Sequence, residues 1–187
     1  SAAPFASVLI TPPAGKPLAI PLANSIVDLL QSQNIAALIA DDASLARQLR
    51  ADGVHLSWAN DQTQRFTEAR EILGARFIIG ADAGRSRDDA MTLGEAGADY
   101  VAFGIPPHVE DRSTAAERQE GLVSWWSELF EIPCVAFDVS DASACSRLAR
   151  TGADFVAVKI MSTDTADRAR EKVEAFASAI AAAKEIV

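Results

Sequence analysis

Gly97-Ala98-Asp99-Tyr100-Val101-Ala102-Phe103-Gly104 is the stretch on which the reading of this chain turns. Tyr100 to Phe103 are apolar on both faces, the mark of a strand covered on both sides and so of a parallel sheet. Upstream, Ser86 is placed to cap a helix whose stripe is Ala90, Leu93 and Ala96, with Gly97 as its left-handed stop. The same turn recurs as Gly152-Ala153-Asp154-Phe155 and, loosely, as Ala51-Asp52-Gly53-Val54. A helix-to-strand turn repeated along one chain predicts βα units following one another round a barrel.

Outward from that stretch, β-rich runs fall at Phe5–Thr11, Ile35–Ala40, Val54–Ser57, Phe77–Gly80, Tyr100–Gly104, Cys134–Phe137 and Phe155–Ile160. Most begin about 20 to 23 residues after the one before, the length of one βα unit. Asp141 is placed to cap a helix with Ala142, Cys145, Leu148 and Ala149 on its stripe, and Arg147 and Arg150 near its end suit the helix dipole. The last helix, from about Thr163, aligns Ala169, Val173, Phe176, Ile180 and Ala183. The expected fold is an α/β barrel of the TIM type, one domain over residues 1–187. A closed barrel of this class has eight strands, and the sequence offers seven. Either one βα unit near the N-terminus is lacking, or Leu18-Ala19-Ile20 forms a rudimentary strand before a helix over Leu22–Gln33. A doubly wound dinucleotide fold is the weaker reading. It wants a glycine-rich turn after the first strand, which Thr11-Pro12-Pro13-Ala14-Gly15-Lys16-Pro17 does not supply.

The composition narrows the partners. The chain carries 17 basic and 26 acidic side chains, a net charge of −9. No basic stripe exists to displace counterions from nucleic acid or to meet an anionic membrane. No apolar run approaches the roughly 20 residues that span a bilayer, and no basic region precedes a long apolar one, so a signal peptide is not expected. Ser1 to Ala3 read as a truncation point or an added tail. Cys134 lies in a strand-like run and Cys145 on a helical stripe, which predicts two buried thiols in a reducing, cytoplasmic setting.

Four segments in order carry a family resemblance. They are Leu38-Ile39-Ala40-Asp41-Asp42 with Ala51-Asp52-Gly53-Val54-His55-Leu56; Ile78-Ile79-Gly80; Gly97 to Gly104; and Ile132-Pro133-Cys134-Val135-Ala136 leading into Gly152-Ala153-Asp154-Phe155-Val156-Ala157-Val158. Together they resemble thiamine phosphate synthase and its thiazole tautomerase relatives, and Trp125-Trp126 before Glu131-Ile132-Pro133 is similar to a divergent bacterial branch. The resemblance implies a barrel that joins hydroxymethylpyrimidine diphosphate to thiazole phosphate and releases pyrophosphate with the help of Mg2+. It also implies which charges have changed. The family's Asn-Asp pair falls on Ala40 and Asp41, and its Gly-Gln-x-Asp run on Ser57-Trp58-Ala59-Asn60, with Asp61 adjacent. Its Gly-x-Ser loop falls on Gly80-Ala81-Asp82, and its Gly-Gly turn on Asp138-Val139. The Gly-Pro-Ile-Phe-Pro-Thr-x-Thr-Lys loop meets Gly104-Ile105-Pro106-Pro107-His108-Val109-Glu110-Asp111, without its hydroxyls and lysine. The Gln-Leu-Arg-x-Lys motif is absent, and Arg47-Gln48-Leu49-Arg50 reads as helical.

Strand ends are where barrel enzymes hold their chemistry. Here they collect Asp41, Asp42, Asp61, Asp82, Glu110, Asp111, Asp138 and Asp141 against Arg85, Arg112 and Lys159. Like charges about 4 Å apart cost about 4 kcal/mol in a partly buried site, so a bare diphosphate is poorly matched to this rim. Three readings follow. One is a synthase, of weakened or lost activity, with Mg2+ on Asp41, Asp42 and Asp61. Another is a catalytically silent barrel that binds a ligand or partner. The third is a different enzyme using His55, His108 or Lys159. Trp58, Asp82, Arg85, Gly104, Asp138 and Ser162 are the candidate binding residues for a small, phosphorylated ligand. Plain alternatives stand beside these: His55 as a satisfied structural histidine, His108 as inert within a 105–121 loop that could serve as a lid, Asp41-Asp42 as a cap for the helix at Ala43, and Trp58 as packing. Of the adjacent Trp125 and Trp126, one helix face can bury only one, which leaves the other for a homodimer contact.

Overall fold

The computed structural model describes residues 5–13, 15–106 and 108–184; Ser1 to Ala3 and Pro107 lie outside them. Seven strands alternate with seven helices. The strands are β1 (Ser7–Ile10), β2 (Ala36–Ala40), β3 (Gly53–Leu56), β4 (Ile78–Asp82), β5 (Tyr100–Phe103), β6 (Cys134–Ala136) and β7 (Phe155–Val156). The helices are α1 (Ile20–Ser32), α2 (Ala43–Gln48), α3 (Gln62–Leu73), α4 (Arg87–Glu95), α5 (Arg112–Leu129), α6 (Ala142–Arg150) and α7 (Ala166–Lys184). All strand pairs are parallel and the order in the sheet is β1 to β7 without a reversal. A doubly wound sheet would reverse its order at a switch point; a curled, barrel-type sheet does not.

The main core lies between the sheet and the helices. Val54 and Leu56, Ile79 and Ala81, Val101 and Phe103, Cys134 and Ala136 take alternate positions on their strands and meet Phe66, Leu73, Leu93, Val123, Trp126 and Leu148. The intervening strand positions face the inside of the curl, where His55, Gly80, Asp82, Tyr100 and Gly104 lie. Both cysteines are buried free thiols.

The repeated turn has a structural job. Asp52 accepts the N–H of Ala37 at 2.7 Å, Asp99 that of Ile79 at 2.8 Å and Asp154 that of Cys134 at 2.8 Å. In each case the aspartate before an odd-numbered strand holds the start of the strand before it. These bonds lie at the N-terminal rim of the sheet, opposite the strand ends. On the other rim two buried glutamines do the matching work. Gln62 donates to the carbonyls of Leu56 (3.0 Å) and Asp82 (3.1 Å), and Gln119 to those of Phe103 (2.6 Å) and Phe137 (2.7 Å). Neighbouring strand ends are thereby joined in pairs.

Three expectations change. Leu18-Ala19-Ile20 is not a strand, because Ala19 caps α1 and Ile20 opens it, with a proline in the first turn. The 105–121 segment is not one long loop. Asp111 accepts the N–H of Thr114 at 3.0 Å and starts α5, whose buried face is Ala115, Gln119, Leu122, Val123 and Trp126, so the connection is only 105–111. Finally, β7 spans Phe155–Val156 rather than reaching Ile160. Its partner β6 ends where Asp138 turns to φ 56°, and the last ladder bond is Ala157 N–H to Ala136. Trp126 is fully buried and donates to Ile132 at 2.7 Å, whereas Trp125 is half-buried beneath the Arg87 guanidinium, 4.7 Å from its ring.

Candidate functional site

Helix starts and strand ends share one rim of a barrel, so the first question is where the helix N–H groups point. Asp42 accepts the N–H of Leu45 (2.8 Å), Ser86 that of Asp89 (3.1 Å) and Asp141 that of Ala144 (2.9 Å), as Asp111 does for α5. Free helix N-termini are ready-made phosphate sites. Three of these carry a carboxylate instead, which satisfies the donors and offsets the positive end of the dipole. The strand-end negative charge is therefore largely structural.

Asp41 sits at φ 59°, just past β2. Its Oδ1 accepts the Ser57 N–H (2.7 Å) and the Arg65 guanidinium (2.7 Å), and its Oδ2 accepts the Ser57 hydroxyl (2.8 Å). Arg65 donates in addition to the Ser57 carbonyl at 2.7 Å. Burial pulls the Asp41 carboxyl upward, but the Ser57 hydroxyl, Arg65 and the Ser57 N–H together hold it below the ordinary carboxylate range. A divalent cation does not fit this donor set. A cation about 4 Å from the guanidinium is opposed by about 4 kcal/mol per unit charge in a partly buried site. Asp42 is spent on its cap, Asp61 stands exposed at the start of α3, and among the described residues no three metal-ligating side chains are gathered.

His55 is 2% exposed and lies parallel to Phe137 (centroids 4.5 Å) and Tyr100 (5.8 Å). Its Nδ1 is 2.9 Å from the Tyr100 hydroxyl. The Tyr100 ring reaches it by crossing Gly80, where any Cβ would collide with that ring. Burial lowers the imidazole to about 4, so it is neutral at ordinary pH, and burial pushes the Tyr100 phenol upward. Beside this stack stand Asp82 and, across Gly104, Asp138. Asp82 Oδ1 accepts the N–H of Gly84 (2.6 Å) and of Gly104 (3.3 Å), and Asp138 Oδ2 accepts that of Ile105 (3.0 Å). Burial raises Asp82 to about 6, against the two N–H groups and with the Asp138 charge adding to the rise.

The loops after β3, β4 and β5, with the first turns of α4 and α5, enclose a cleft of about 280 Å³ between Trp58, Arg85, Ser86, Asp89, Pro106, His108 and Arg118. Trp58 is 40% exposed, with its ring tilted to that of His108 at 6.2 Å. A second groove of about 580 Å³ shares Arg85, Ser86 and Arg118 and runs outward past Arg87 to Leu122, away from the strand ends. Thus the structure brings Trp58, Arg85 and His108 together, and separately Asp82, Gly104 and Asp138. Lys159 and Ser162 are exposed beyond β7, and the Lys159 carbonyl accepts from Lys172 at 2.7 Å. Sequence reasoning missed Arg65, Tyr100, Gln62, Gln119 and Arg118. The two glutamines were detectable as polar residues on otherwise apolar helix stripes; Arg65 was not, since its partner lies 24 residues away.

Comparison with known proteins completes the picture. The family model described as thiamine monophosphate synthase matches residues 12–161. The thiamine-phosphate synthase of Erythrobacter litoralis is 41% identical over 166 residues, covering 87% of this chain and 75% of that protein. Its counterpart in Rhodospirillum centenum is 37% identical over 132 residues (70% and 61% covered), and that in Hyphomonas neptunium 41% over 136 (72% and 59%). The chain thus spans less than two thirds of the last two relatives. Thiamine phosphate pyrophosphorylase from Pyrococcus furiosus superposes with a TM-score of 0.74 at 22% identity, over 97% of this chain and 85% of that one. A KDPGal structure does so with 0.75 at 12% identity over 98% and 85%, so superposition speaks for the fold alone.

Proposed function

The chain belongs to the thiamine monophosphate synthase family, and from that premise we propose that it holds a small phosphorylated ligand at its strand ends while its synthase turnover is weakened or lost. On this reading it works as one domain in the cytoplasm, without nucleic acid or membrane as a partner; no helix among the described residues is long and apolar enough to cross a membrane. The observation that carries the proposal is the Asp41 carboxylate tied to Arg65 and Ser57. The family reaction develops a cationic pyrimidine methylene against a departing pyrophosphate, and preorganised charge is its largest source of rate. A carboxylate committed to an internal guanidinium is a poor anchor for a metal that would neutralise that leaving group.

Phosphate recognition is assigned instead to Arg85 and Arg118, whose guanidinium donors suit phosphate oxygens. Trp58 and His108 offer ring faces for a flat heterocycle. Asp82, Gly104 and Asp138 form the floor beside it, and Ser162 and Lys159 are left as residues that a closing ligand would have to recruit. His55, neutral and sandwiched, shapes the floor rather than exchanging protons, and Lys159 and His108 are the candidates for any proton transfer. Asp42 and Asp61 have no part in it.

The test is direct. With hydroxymethylpyrimidine diphosphate, thiazole phosphate and Mg2+, thiamine phosphate should form with kcat/KM at least about 100-fold below that of the Erythrobacter litoralis relative, as expected for the loss of preorganised charge. Thiazole phosphate should still bind in calorimetry, and Arg85→Ala should abolish that binding. Turnover matching the relative, and lost in Asp41→Asn, overturns the proposal.

A further inference from the structure

At the ends of β4 and β6, two carboxylates approach the same glycine. A Cβ on Gly104 would stand 2.5 Å from Asp82 Oδ2 and 3.2 Å from Asp138 Oδ2, so the bare backbone leaves a niche that both oxygens border. Both carboxylates also hold backbone, Asp82 through its other oxygen and Asp138 through the same Oδ2. Asp82 Oδ1 takes the N–H groups of Gly84 and Gly104, and Asp138 takes that of Ile105. Those amides belong to the two loops that carry Arg85, Pro106 and His108 to the cleft. Trp58 leans on the same element, since a Cβ on Gly84 would lie 2.6 Å from its Cδ1.

We propose that Asp82 and Asp138 are positioning residues for the cleft: a proton shared between them across Gly104 draws the β4–α4 and β5–α5 loops together, and its loss lets them part. The reading of the cleft as a ligand site supplies the consequence, not the premise. When the proton is present it sits on Asp82 Oδ2 and is donated to Asp138 Oδ2; when it leaves for solvent, two like charges face one another.

The titratable groups around Asp82 favour this behaviour. Asp138 faces it from the β6–α6 loop, and Tyr100 from β5, with the neutral His55 behind its hydroxyl. Among the described residues no ion pair reaches either aspartate. Burial raises Asp82 to about 6, and the Asp138 charge adds to the rise.

Ligand-free protein labelled with 5-fluorotryptophan provides the test, so failure of phosphate binding and failure of this proposal are told apart. The Trp58 fluorine signal, identified by its loss in Trp58→Phe, is expected to move through one transition near pH 6. Asp138→Asn should shift that midpoint to lower pH, and Asp82→Asn should remove the transition, with Asp82→Ser as a second variant if Asp82→Asn fails to fold. His108→Gln and Asp89→Asn should each leave the transition in place, although that ring and that carboxyl line the same cleft as Trp58. An unchanging Trp58 signal in the wild type, a transition that survives loss of Asp82, or one that disappears with His108 or Asp89 overturns the proposal.

Discussion

Asp41 and Asp82 stand at the ends of β2 and β4 on the same rim, yet their surroundings drive them apart: one is held ionised by Arg65 and Ser57, the other is raised by burial. A carboxyl whose folded value lies above its unfolded one favours the fold fully below the unfolded value, here 3.8, and loses that contribution as pH rises through about 6. Asp82→Asn keeps an acceptor for Gly84 while removing the charge, so it should stabilise the protein by about 2 kcal/mol at pH 8, the gain fading below about pH 5. Urea midpoints at the two pH values check this, and destabilisation at pH 8 contradicts it. Both aspartates were legible in the sequence as strand-end residues. What they touch was not, because Arg65, Gly104 and Asp138 meet them only through the packing of separate βα units. The same applies to His55: alternation along β3 shows that it faces away from Val54 and Leu56, but the Tyr100 hydroxyl and the Phe137 ring come from β5 and the end of β6.

At the level of elements, local chemistry was the reliable guide. Ser86, Asp141, Gly97 and Gly152 do what their residue types suggest, the two serine and aspartate caps accepting N–H groups and the two glycines taking positive φ after their helices. The same left-handed stop follows α1 and α2, but there Asn34 (φ 56°) and Arg50 (φ 54°) occupy it. Asparagine tolerates that region, whereas a longer side chain is strained by roughly 1 kcal/mol. Arg50→Gly should therefore raise stability by about 0.5 to 1 kcal/mol even after the added freedom of the unfolded chain, and Asn34→Gly by less. Thermal melts of the two variants check the order, and a less stable Arg50→Gly contradicts it. The misread element is α5. Its inward stripe contains Gln119, which hides the helical period from a reading based on apolar residues, although that same buried amide joins β5 to β6. Strand β7 failed for the opposite reason, since its apolar run continues past the point where its partner strand turns away.

For the whole molecule, many of the aspartates at the two rims of the sheet prove architectural. Asp42, Asp111 and Asp141 cap helices, Asp52, Asp99 and Asp154 hold strand starts, Asp41 is paired with Arg65, and Asp82 and Asp138 each accept loop N–H groups. A composition that looks hostile to phosphate therefore leaves two guanidiniums, Arg85 and Arg118, in a cleft they share with Asp89, on a rim where α2, α5 and α6 start on aspartate caps. Calorimetry of pyrophosphate binding, with and without Mg2+, tests that account most directly. It predicts saturable binding without metal, changed less than about tenfold by Mg2+ and abolished by Arg85→Ala with Arg118→Ala, since those guanidiniums supply the charge-assisted hydrogen bonds. Binding that requires Mg2+ and disappears in Asp41→Asn would contradict it.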